Sequence, residues 1–358
     1  MSTPRPPVRV AVGVLRNRAG ELLVARRPEG KPLAGYWEFP GGKCEPDEPP
    51  SQALGRELAE ELGVTVRALR PLIEIPWSYP DFTVRLLVFD VLEFEGRPRG
   101  IEGQALAWRS LEALRDEKLP PANRGILTAL GLPERLLVTP DVAGTGLGAE
   151  RRWFRALESS LARLGESPDG LPTPVNSLGP APLVQLRLGP DCSEATWRAA
   201  LRVIRAHGAR GIVNASPELA LALGADGVHL NRARLRTWAA AGQRPLPELL
   251  LVSAVAHDIQ ELIMARTVRA DLALVSPVAP TVSHPGAATL GWSGFAALAD
   301  QAPMPVYALG GMGEADLPLA RAHGGQGIAA ISALWHWPPR ISATPDGPSP
   351  HNDRSTTP

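Results

Sequence analysis

The sequence predicts two domains, an α+β unit followed by a closed barrel of parallel strands and helices, and two observations support this. The chain has 358 residues, about twice the length of an ordinary domain. From Gly131-Leu132-Pro133 onward, short apolar runs alternate eight times with helical stretches. Eight β/α alternations over roughly 200 residues are typical of a (β/α)8 barrel. An open doubly wound sheet is the alternative, although it would leave strand edges uncovered.

The first unit is predicted to begin with a β-hairpin. Its strands are Val8–Leu15 and Glu21–Ala25, separated by a polar turn. The Pro40-Gly41-Gly42 segment predicts a loop, and a helix follows over Ser51–Leu62, with Gly63 as its C-cap. The remaining predicted elements are strands at Leu69–Pro76 and Phe82–Leu92 and a helix at Asn123–Leu130.

The second unit is predicted to contain eight strands with helices between them. The predicted strands are Leu136–Pro140, Leu183–Leu188, Gly211–Ala215, Gly227–Leu230, Leu250–Ala256, Leu272–Val278, Val306–Gly311 and Gly327–Leu334. The helices include Arg151–Leu164, Glu194–His207 and Pro217–Leu223. The predicted domain limits are 1–132 and 133–337. Residues 338–358 are rich in Pro, Ser, Thr and Asp and are predicted to be a disordered tail.

The composition limits the class of protein. Lys plus Arg and Asp plus Glu number 37 each, so we expect no binding to nucleic acid polymers or membranes. Cys44 and Cys192 are the only cysteines, which excludes a disulfide framework and a metal finger. The sequence has no run of 18 apolar residues and no signal-peptide core at its start, so a cytoplasmic location is expected. The oligomeric state stays open.

An acidic face on the predicted Ser51–Leu62 helix carries the chemistry. Glu57, Glu60 and Glu61 stand at i, i+3 and i+4 and share one face. Their charges repel each other unless a divalent cation lies among them. Mg²⁺ prefers carboxylate oxygens and shares its coordination shell with substrate phosphates, and Mn²⁺ is the alternative ion. The other interpretation is a solvated acidic helix face.

The spacing around this face favours the metal site. Gly42 is followed after five residues by Glu48, and after seven more by Arg56. Gly41 and Gly42 allow a close approach to phosphates, and Arg56 can orient a neighbouring carboxylate. The pattern resembles the Nudix box, the signature of a family of Mg²⁺-dependent pyrophosphohydrolases with an α/β/α sandwich fold. The resemblance covers the whole first unit.

The resemblance implies a role for each acidic residue. Glu57 matches the residue discussed as the catalytic base, and it also belongs to the metal site with Gly41. Glu60 and Glu61 match metal ligands of the box, and Glu102 matches a further ligand outside it. Whether Glu57 or Glu102 takes the proton stays open. Glu48 matches a supporting acidic position. Arg56 is predicted to be a catalytic residue together with Glu57, Glu60, Glu61 and Glu102.

Four segments resemble the MutT branch of this family, which hydrolyses 8-oxo-dGTP to the monophosphate and pyrophosphate. They are Ala25–Arg27, Glu38–Lys43, Glu102–Gln104 and Leu119–Asn123. Asn123 matches the residue that reads the oxidised purine edge, because an amide is both donor and acceptor. Its alternative role is a helix N-cap. The other predicted substrate contacts are Arg27, Glu38, Phe39, Gly42 and Lys43, although Arg27 can be a surface charge and Phe39 a core aromatic residue.

The second unit resembles thiamine-phosphate synthase and its thiazole-tautomerase relatives, which are TIM barrels. Segments such as Val213–Leu230 and Ser276–Ala287 carry the resemblance. The synthase has metal-binding acids where this chain has Ala215 and the Asn231–Arg234 segment, and it has lysines where this chain has none after Lys118. The resemblance therefore implies that thiamine-phosphate synthesis is lost.

A phosphate-binding site remains a prediction for the barrel. Gly310, Gly311 and Ser332 follow the last two strands, where barrels bind phosphate through backbone N–H groups. Turn glycines and a barrel-end serine are the alternative. His229 is expected to have a structural role, and His284 is a weaker candidate for ligand contact.

Three hypotheses follow for the whole chain. The leading one is an enzyme that hydrolyses 8-oxo-dGTP, a small-molecule nucleotide, and so protects DNA from mutation. The enzymatic alternative is a Nudix hydrolase of another nucleoside diphosphate derivative or of thiamine diphosphate. The third is a binding protein whose barrel senses a thiamine precursor.

Overall fold

The computed structural model describes residues 6–30, 32–142, 147–165, 180–189, 192–281, 286 and 288–337. Two sheets form its amino-terminal part, with elements numbered in chain order. A four-stranded sheet in the order β4-β1-β6-β5 contains β1 (Val8–Val14), β4 (Gly41–Lys43), β5 (Thr65–Ser78) and β6 (Thr83–Glu95). A three-stranded sheet in the order β3-β2-β7 contains β2 (Leu22–Arg26), β3 (Trp37–Glu38) and β7 (Leu106–Arg109). The helices are α1 (Pro50–Leu62), α2 (Leu111–Asp116) and α3 (Asn123–Leu130).

Two predictions for this part hold only in part. The turn of the predicted hairpin is present, with an antiparallel bridge between Arg16 and Leu22 and a hydrogen bond of 3.0 Å from the Leu23 N–H to the Leu15 carbonyl, but β1 and β2 belong to different sheets. β2 pairs instead with β3 and β7. The Pro40-Gly41-Gly42 segment is not a loop throughout, since Gly41–Lys43 pairs antiparallel with β1 as strand β4. Backbone pairing, which needs no side-chain pattern, makes this strand.

The carboxy-terminal part is a closed barrel of parallel strands. The strands are β8 (Arg135–Val138), β9 (Leu183–Leu186), β10 (Arg210–Val213), β11 (Gly227–Leu230), β12 (Leu251–Ala256), β13 (Leu272–Val275), β14 (Val306–Leu309) and β15 (Gly327–Ala330). The helices are α4 (Leu147–Leu164), α5 (Glu194–Ala206), α6 (Pro217–Leu223), α7 (Arg232–Ala241), α8 (Ile259–Thr267), α9 (Gly291–Ala299) and α10 (Leu317–Ala322). Pairing of β15 with β8 closes the barrel, so the predicted barrel is confirmed and the open sheet is wrong.

The junction between the two parts is short. α3 ends at Leu130, and the first barrel strand begins at Arg135. The domain limits 1–132 and 133–337 remain predictions, and the predicted tail at 338–358 lies outside the described residues. Among the helices in the described ranges, none has the length and apolar character needed to cross a membrane.

Candidate active site

Helix α1 is held against the four-stranded sheet by its apolar face. Leu54, Leu58 and Leu62 recur at i+4 steps and are fully buried. Gly13 in β1 lets the helix approach closely, because a Cβ atom there would lie 3.2 Å from the Leu54 and Leu58 side chains. The helix ends at Gly63, whose φ of 67° is left-handed. This packing turns the glutamates of α1 toward β4.

Two glutamates of α1 contact the glycines of β4. The Gly41 N–H donates a hydrogen bond of 3.3 Å to Oε2 of Glu61. A Cβ atom on Gly42 would lie only 2.2 Å from the carboxyl carbon of Glu57, so no larger residue fits there with Glu57 in place. Gly41 has a φ of 141°, and a Cβ atom on it would meet the Ala11 carbonyl oxygen at 2.1 Å. The glycines therefore bring backbone and carboxylates together.

Arg56 links the other acidic side chains of the motif. Its Nε and Nη2 donate to the two carboxylate oxygens of Glu48 at 3.0 and 2.9 Å. Its Nη1 donates to Oε1 of Glu57 at 2.9 Å and to Oε2 of Glu60 at 3.4 Å. Glu60 is the most exposed of these carboxylates, with 59% of its side chain accessible. The guanidinium lowers the pKa of Glu48 through its hydrogen bonds.

Glu61 has the most perturbed carboxyl group of the site. Burial raises its pKa to about 7, and the nearby charges of Glu57, Glu102 and Glu38 raise it further, while the Gly41 N–H works in the opposite direction. Several carboxylates therefore converge on one place. A group of like charges in a partly buried position is typical of functional sites.

The donor set suits Mg²⁺, although the cluster is not drawn tightly together. Within the described residues, no three His, Cys, Asp or Glu side chains are close enough to enclose a cation as they stand. The charges that raise the pKa of Glu61 nevertheless come from carboxylates, the hard oxygen donors that Mg²⁺ prefers. The chemistry of these residues fits the ion, and Glu57, Glu61 and Glu102 are the carboxylates that would hold it.

Asn123 lies at the start of α3 and is 6% exposed. It is the first residue of α3, and the N-cap of that helix is Ala122, which makes no side-chain cap hydrogen bond. The N-cap alternative for Asn123 is therefore wrong. The amide remains a buried hydrogen-bonding group whose position is fixed by the start of a helix.

The other predicted substrate contacts fall into different environments. Arg27 pairs with Glu38, and its Nε donates to the Pro32 carbonyl at 2.8 Å. Phe39 is 4% exposed and packs in the apolar core. Lys43 is exposed at the end of β4. The structure thus brings Glu38 near Glu61 and makes Phe39 a core residue.

Two aromatic residues near Asn123 were not predicted. Tyr79 and Phe82 stack with ring centroids 4.9 Å apart in the turn between β5 and β6. Burial raises the pKa of Tyr79, whose hydroxyl is hydrogen-bonded to the backbone of Ala122 and lies near Arg27. Phe82 is half exposed. The only sequence signal was an aromatic pair around a Pro-Asp turn, which is equally typical of a surface hairpin.

The two glycines of the predicted barrel phosphate site are also needed for packing. Gly310 and Gly311 have φ of 97° and 70°. Cβ atoms on them would lie 2.9 Å from Pro277 and 2.7 Å from the Pro280 carbonyl oxygen, so packing alone requires glycine at both positions. Ser332 is exposed after β15. His284 lies outside the described residues.

Polar side chains line the interior and the carboxyl end of the barrel. His229 is buried, and its Nδ1 lies 2.9 Å from the Ser253 hydroxyl. Burial lowers the pKa of His229 to about 3, with further lowering by Arg234 and His257. Nη1 of Arg234 donates to Oδ1 of Asn214 at 3.0 Å. The synthase pattern has an acid at the position of Ala215. In this chain the Arg234 guanidinium lies on Asn214, the residue directly before Ala215.

Two cavities of about 360 and 320 Å³ lie elsewhere, at the junction of the two parts. Asp90, Arg135 and Gln326 line the first, and Arg115, Arg210 and Asp226 line the second. None of the glutamates of α1 borders either cavity. Both cavities are therefore separate from the acidic site on α1.

Comparison with known proteins assigns the amino-terminal part. Residues 11–129 match the family profile described as a NUDIX domain. The 8-oxo-dGTP diphosphatase of Escherichia coli K12 is 38% identical over 123 residues, which are 34% of this chain and 95% of that protein. This part of the chain belongs to the Nudix family. It is therefore a hydrolase of phosphoric anhydrides. The CTP pyrophosphohydrolase of Escherichia coli K12 is also 38% identical, over 118 residues that cover 33% of this chain and 87% of that protein.

The carboxy-terminal part belongs to a second family. Residues 177–334 match the profile described as thiamine monophosphate synthase. The thiamine-phosphate synthase of Methanoregula boonei is 34% identical over 172 residues, 47% of this chain and 79% of that protein. Both resemblances expected from the sequence are confirmed. The chain is thus a Nudix domain joined to a barrel of the thiamine monophosphate synthase family.

Proposed function

We propose that the Nudix domain hydrolyses 8-oxo-dGTP to 8-oxo-dGMP and pyrophosphate and so removes an oxidised precursor of DNA. The observation that carries this proposal is the contact of Glu57 and Glu61 with the Gly41–Gly42 backbone. It places two carboxylates beside a strand whose glycines carry no side chain. The similarity to 8-oxo-dGTP diphosphatases over nearly the whole length of the Escherichia coli protein supports the substrate.

The acidic residues have two proposed roles, metal binding and proton transfer. Glu57, Glu60, Glu61 and Glu102 would hold Mg²⁺, with Gly41 at the edge of the site. When bound, the ion offsets charge on the phosphate oxygens and activates a water molecule. Arg56 holds Oε1 of Glu57 and so fixes the orientation of that carboxylate. Glu57 accepts the proton of the attacking water through its other oxygen, and Glu102 is the alternative acceptor.

Recognition of the base is assigned to Asn123. An amide that is 6% exposed competes little with water, so its donor and acceptor discriminate strongly between purine edges. Tyr79 and Phe82 offer aromatic surface close to the backbone of Ala122. Arg27 and Glu38 form a charged pair in the same region. These groups favour an oxidised purine nucleotide as the substrate.

A pyrimidine triphosphate is the second candidate, because the similarity to the Escherichia coli CTP pyrophosphohydrolase is equally high. Thiamine diphosphate is a third, since the Nudix domain is joined to a barrel of the thiamine monophosphate synthase family. A panel of 8-oxo-dGTP, dGTP, CTP and thiamine diphosphate ranks them by kcat/KM. Preference for CTP or thiamine diphosphate would keep the hydrolase and reject the proposed substrate.

The chemistry is tested by removing one carboxylate at a time. We expect Mg²⁺-dependent release of pyrophosphate by the wild-type chain and loss of at least about 100-fold in kcat for Glu57→Gln. Glu93→Gln, which removes an exposed carboxylate from β6, is the matched control and should behave as wild type. Full activity of Glu57→Gln would reject the role of this face.

We propose in addition that the barrel does not make thiamine phosphate but binds a phosphorylated ligand. Ala215 provides no carboxylate, and Arg234 donates to Asn214 beside it. A fixed guanidinium can bind an anion but cannot replace a divalent ion's coordination. Gly310, Gly311 and Ser332 are the proposed phosphate contacts, although the two glycines are also required by packing.

A further inference from the structure

The carboxyl end of α3 lies against the amino-terminal end of the barrel. The last carbonyls of a helix have no partner within it and need other donors. Here Nε2 of Gln326 donates to the carbonyls of both Ala129 and Leu132, each at 3.0 Å. Gln326 directly precedes β15 and is 9% exposed. The barrel therefore adds side-chain donors to the backbone cap that the Gly131 N–H makes with the Leu127 and Thr128 carbonyls.

Two more barrel residues donate to the same segment. Nη2 of Arg210, the first residue of β10, donates to the Gly131 carbonyl at 2.5 Å. The hydroxyl of Tyr307 in β14, a fully buried residue, donates to the Pro133 carbonyl. Gln326 before β15, Arg210 in β10 and Tyr307 in β14 thus donate from the same end of the barrel. Their acceptors are the carbonyls of Ala129, Gly131, Leu132 and Pro133. Water cannot easily replace donors at buried positions.

The side of α3 is fixed as well. A Cβ atom on Gly125 would lie 2.8 Å from the Ile75 side chain in β5 and 3.1 Å from the Pro303 carbonyl oxygen, which precedes β14. The helix is thus confined between its own sheet and the barrel. An ion pair between Arg85 in β6 and Asp300 after α9 joins the two parts beside it.

The amino-terminal end of α3 carries Asn123, and the barrel holds the other end of this eight-residue helix. At a rise of 1.5 Å per residue, the helix is about 12 Å long, so a tilt of about 10° at one end moves the other by about 2 Å. Displacements of this size impair recognition and catalysis. The Escherichia coli 8-oxo-dGTP diphosphatase has no room for a counterpart of this barrel, because the 123 matched residues cover 95% of that protein.

We propose that the barrel is a structural part of the nucleotide-binding site, and that Gln326 and Arg210 are positioning residues that hold α3 and thereby Asn123. The inference rests on the proposed function for the role of Asn123. The docking of α3 on the barrel does not depend on which nucleotide is the substrate.

The first test uses the full chain with Gln326→Met, which keeps the side-chain length and removes both hydrogen bonds. We expect KM for the preferred nucleoside triphosphate to rise about 2- to 30-fold, with kcat changed less than about twofold. Gln301→Met is the control, because Gln301 is exposed and its Nε2 donates to the Ala297 carbonyl in the helix directly before it. An unchanged KM in a folded Gln326→Met chain would overturn the proposal.

A second pair of variants separates positioning from folding. Arg210→Lys retains one donor for the Gly131 carbonyl and should keep KM near the wild-type value, whereas Arg210→Met should raise it. Equal KM values for the two would contradict the proposal.

Hydrogen–deuterium exchange of the α3 amides, measured without nucleotide, tests the docking independently of activity. Exchange should be faster in Gln326→Met than in Gln301→Met. If the wild-type chain fails to prefer 8-oxo-dGTP while α3 exchanges faster in Gln326→Met, the proposed substrate fails and the docking stands. Unchanged exchange together with normal 8-oxo-dGTP hydrolysis would reject the docking alone.

Discussion

Arg56 and Glu48 form a pair with two parallel hydrogen bonds, from Nε to Oε1 at 3.0 Å and from Nη2 to Oε2 at 2.9 Å. The pair uses two donors of the guanidinium and leaves Nη1 directed at Glu57. Glu48 thus fixes Arg56, and Arg56 fixes Glu57. This chain of contacts explains why an acidic residue nine positions before Glu57 belongs to the same motif.

Replacing Arg56 with Lys should lower kcat/KM about 10- to 100-fold, because a single ammonium cannot hold both Glu48 and Glu57. The thermal midpoint should change little, since the side chain is partly exposed. Steady-state kinetics and thermal unfolding of the same preparation measure both. Arg67→Lys, in an exposed pair with Glu95, is the control. Equal losses of activity in both variants would argue against a specific role for Arg56.

Gly42→Ala should reduce activity about 100-fold while leaving the chain folded. The new Cβ atom collides with the end of the Glu57 side chain, which can move but only by leaving its place. Gly55→Ala in α1, the helix that carries Glu57, places the new Cβ more than 4 Å from any heavy atom outside its own stretch of helix. It should stabilise the protein by about 0.5–1 kcal/mol with unchanged activity. Wild-type kinetics for Gly42→Ala would contradict the placement of Glu57.

Gly41→Ala should differ from Gly42→Ala by destabilising the domain. Its φ of 141° and the Ala11 carbonyl oxygen at 2.1 Å leave no room for a Cβ atom, and backbone cannot move aside as a side chain does. We expect a lower urea midpoint and less folded protein at 37 °C. A midpoint equal to that of Gly42→Ala would show that β4 is more adaptable than its pairing with β1 suggests.

Acid should destabilise the barrel through His229. Burial lowers its pKa from 6.5 to about 3, so between these values the unfolded chain binds a proton that the folded chain does not. The contribution of His229 to stability is therefore constant above about pH 6.5 and falls as the pH decreases below it, by up to about 1.4 kcal/mol per pH unit. Urea unfolding at pH 7.5, 6.5 and 5.5 should show a smaller decrease for His229→Gln. Parallel pH profiles for the two proteins would mean that His229 is not the titrating group.

Thiamine-phosphate synthesis should be absent from the barrel. A strain that lacks thiamine-phosphate synthase should still require added thiamine when it carries this gene. The reason is that Ala215 supplies no carboxylate and Arg234 donates to Asn214 beside it. The synthase of Methanoregula boonei is the positive control. Growth without thiamine would show that this barrel works without the expected acids.

The parts of the structure that could be predicted from sequence are those with local signals. The barrel strands are short apolar runs between amphipathic helices, and α1 has its apolar leucines at i+4 steps and Gly63 at its end. The three glutamates follow from the same helical spacing. Strand β4 could not be predicted, because Gly41 and Gly42 carry no strand signal and their pairing with β1 is a backbone interaction.

Contacts between distant segments of the chain could not be predicted from the sequence. β2 pairs with β7, more than 80 positions later, and no local pattern selects that partner over β1. The stacked Tyr79 and Phe82 lie close to Asn123 only because β5 and β6 carry their turn next to Ala122. The same holds for Gln326, whose contact with α3 depends on closure of the barrel.

The most direct test of the central claim is the ratio of kcat/KM for 8-oxo-dGTP to that for dGTP, in wild type and in Asn123→Ala. We predict a strong preference for the oxidised nucleotide in wild type, and a ratio reduced about 5- to 150-fold in Asn123→Ala, the equivalent of about 1–3 kcal/mol for lost buried hydrogen bonds. Equal and slow hydrolysis of both nucleotides by the wild-type chain would contradict the assignment of an oxidised purine substrate.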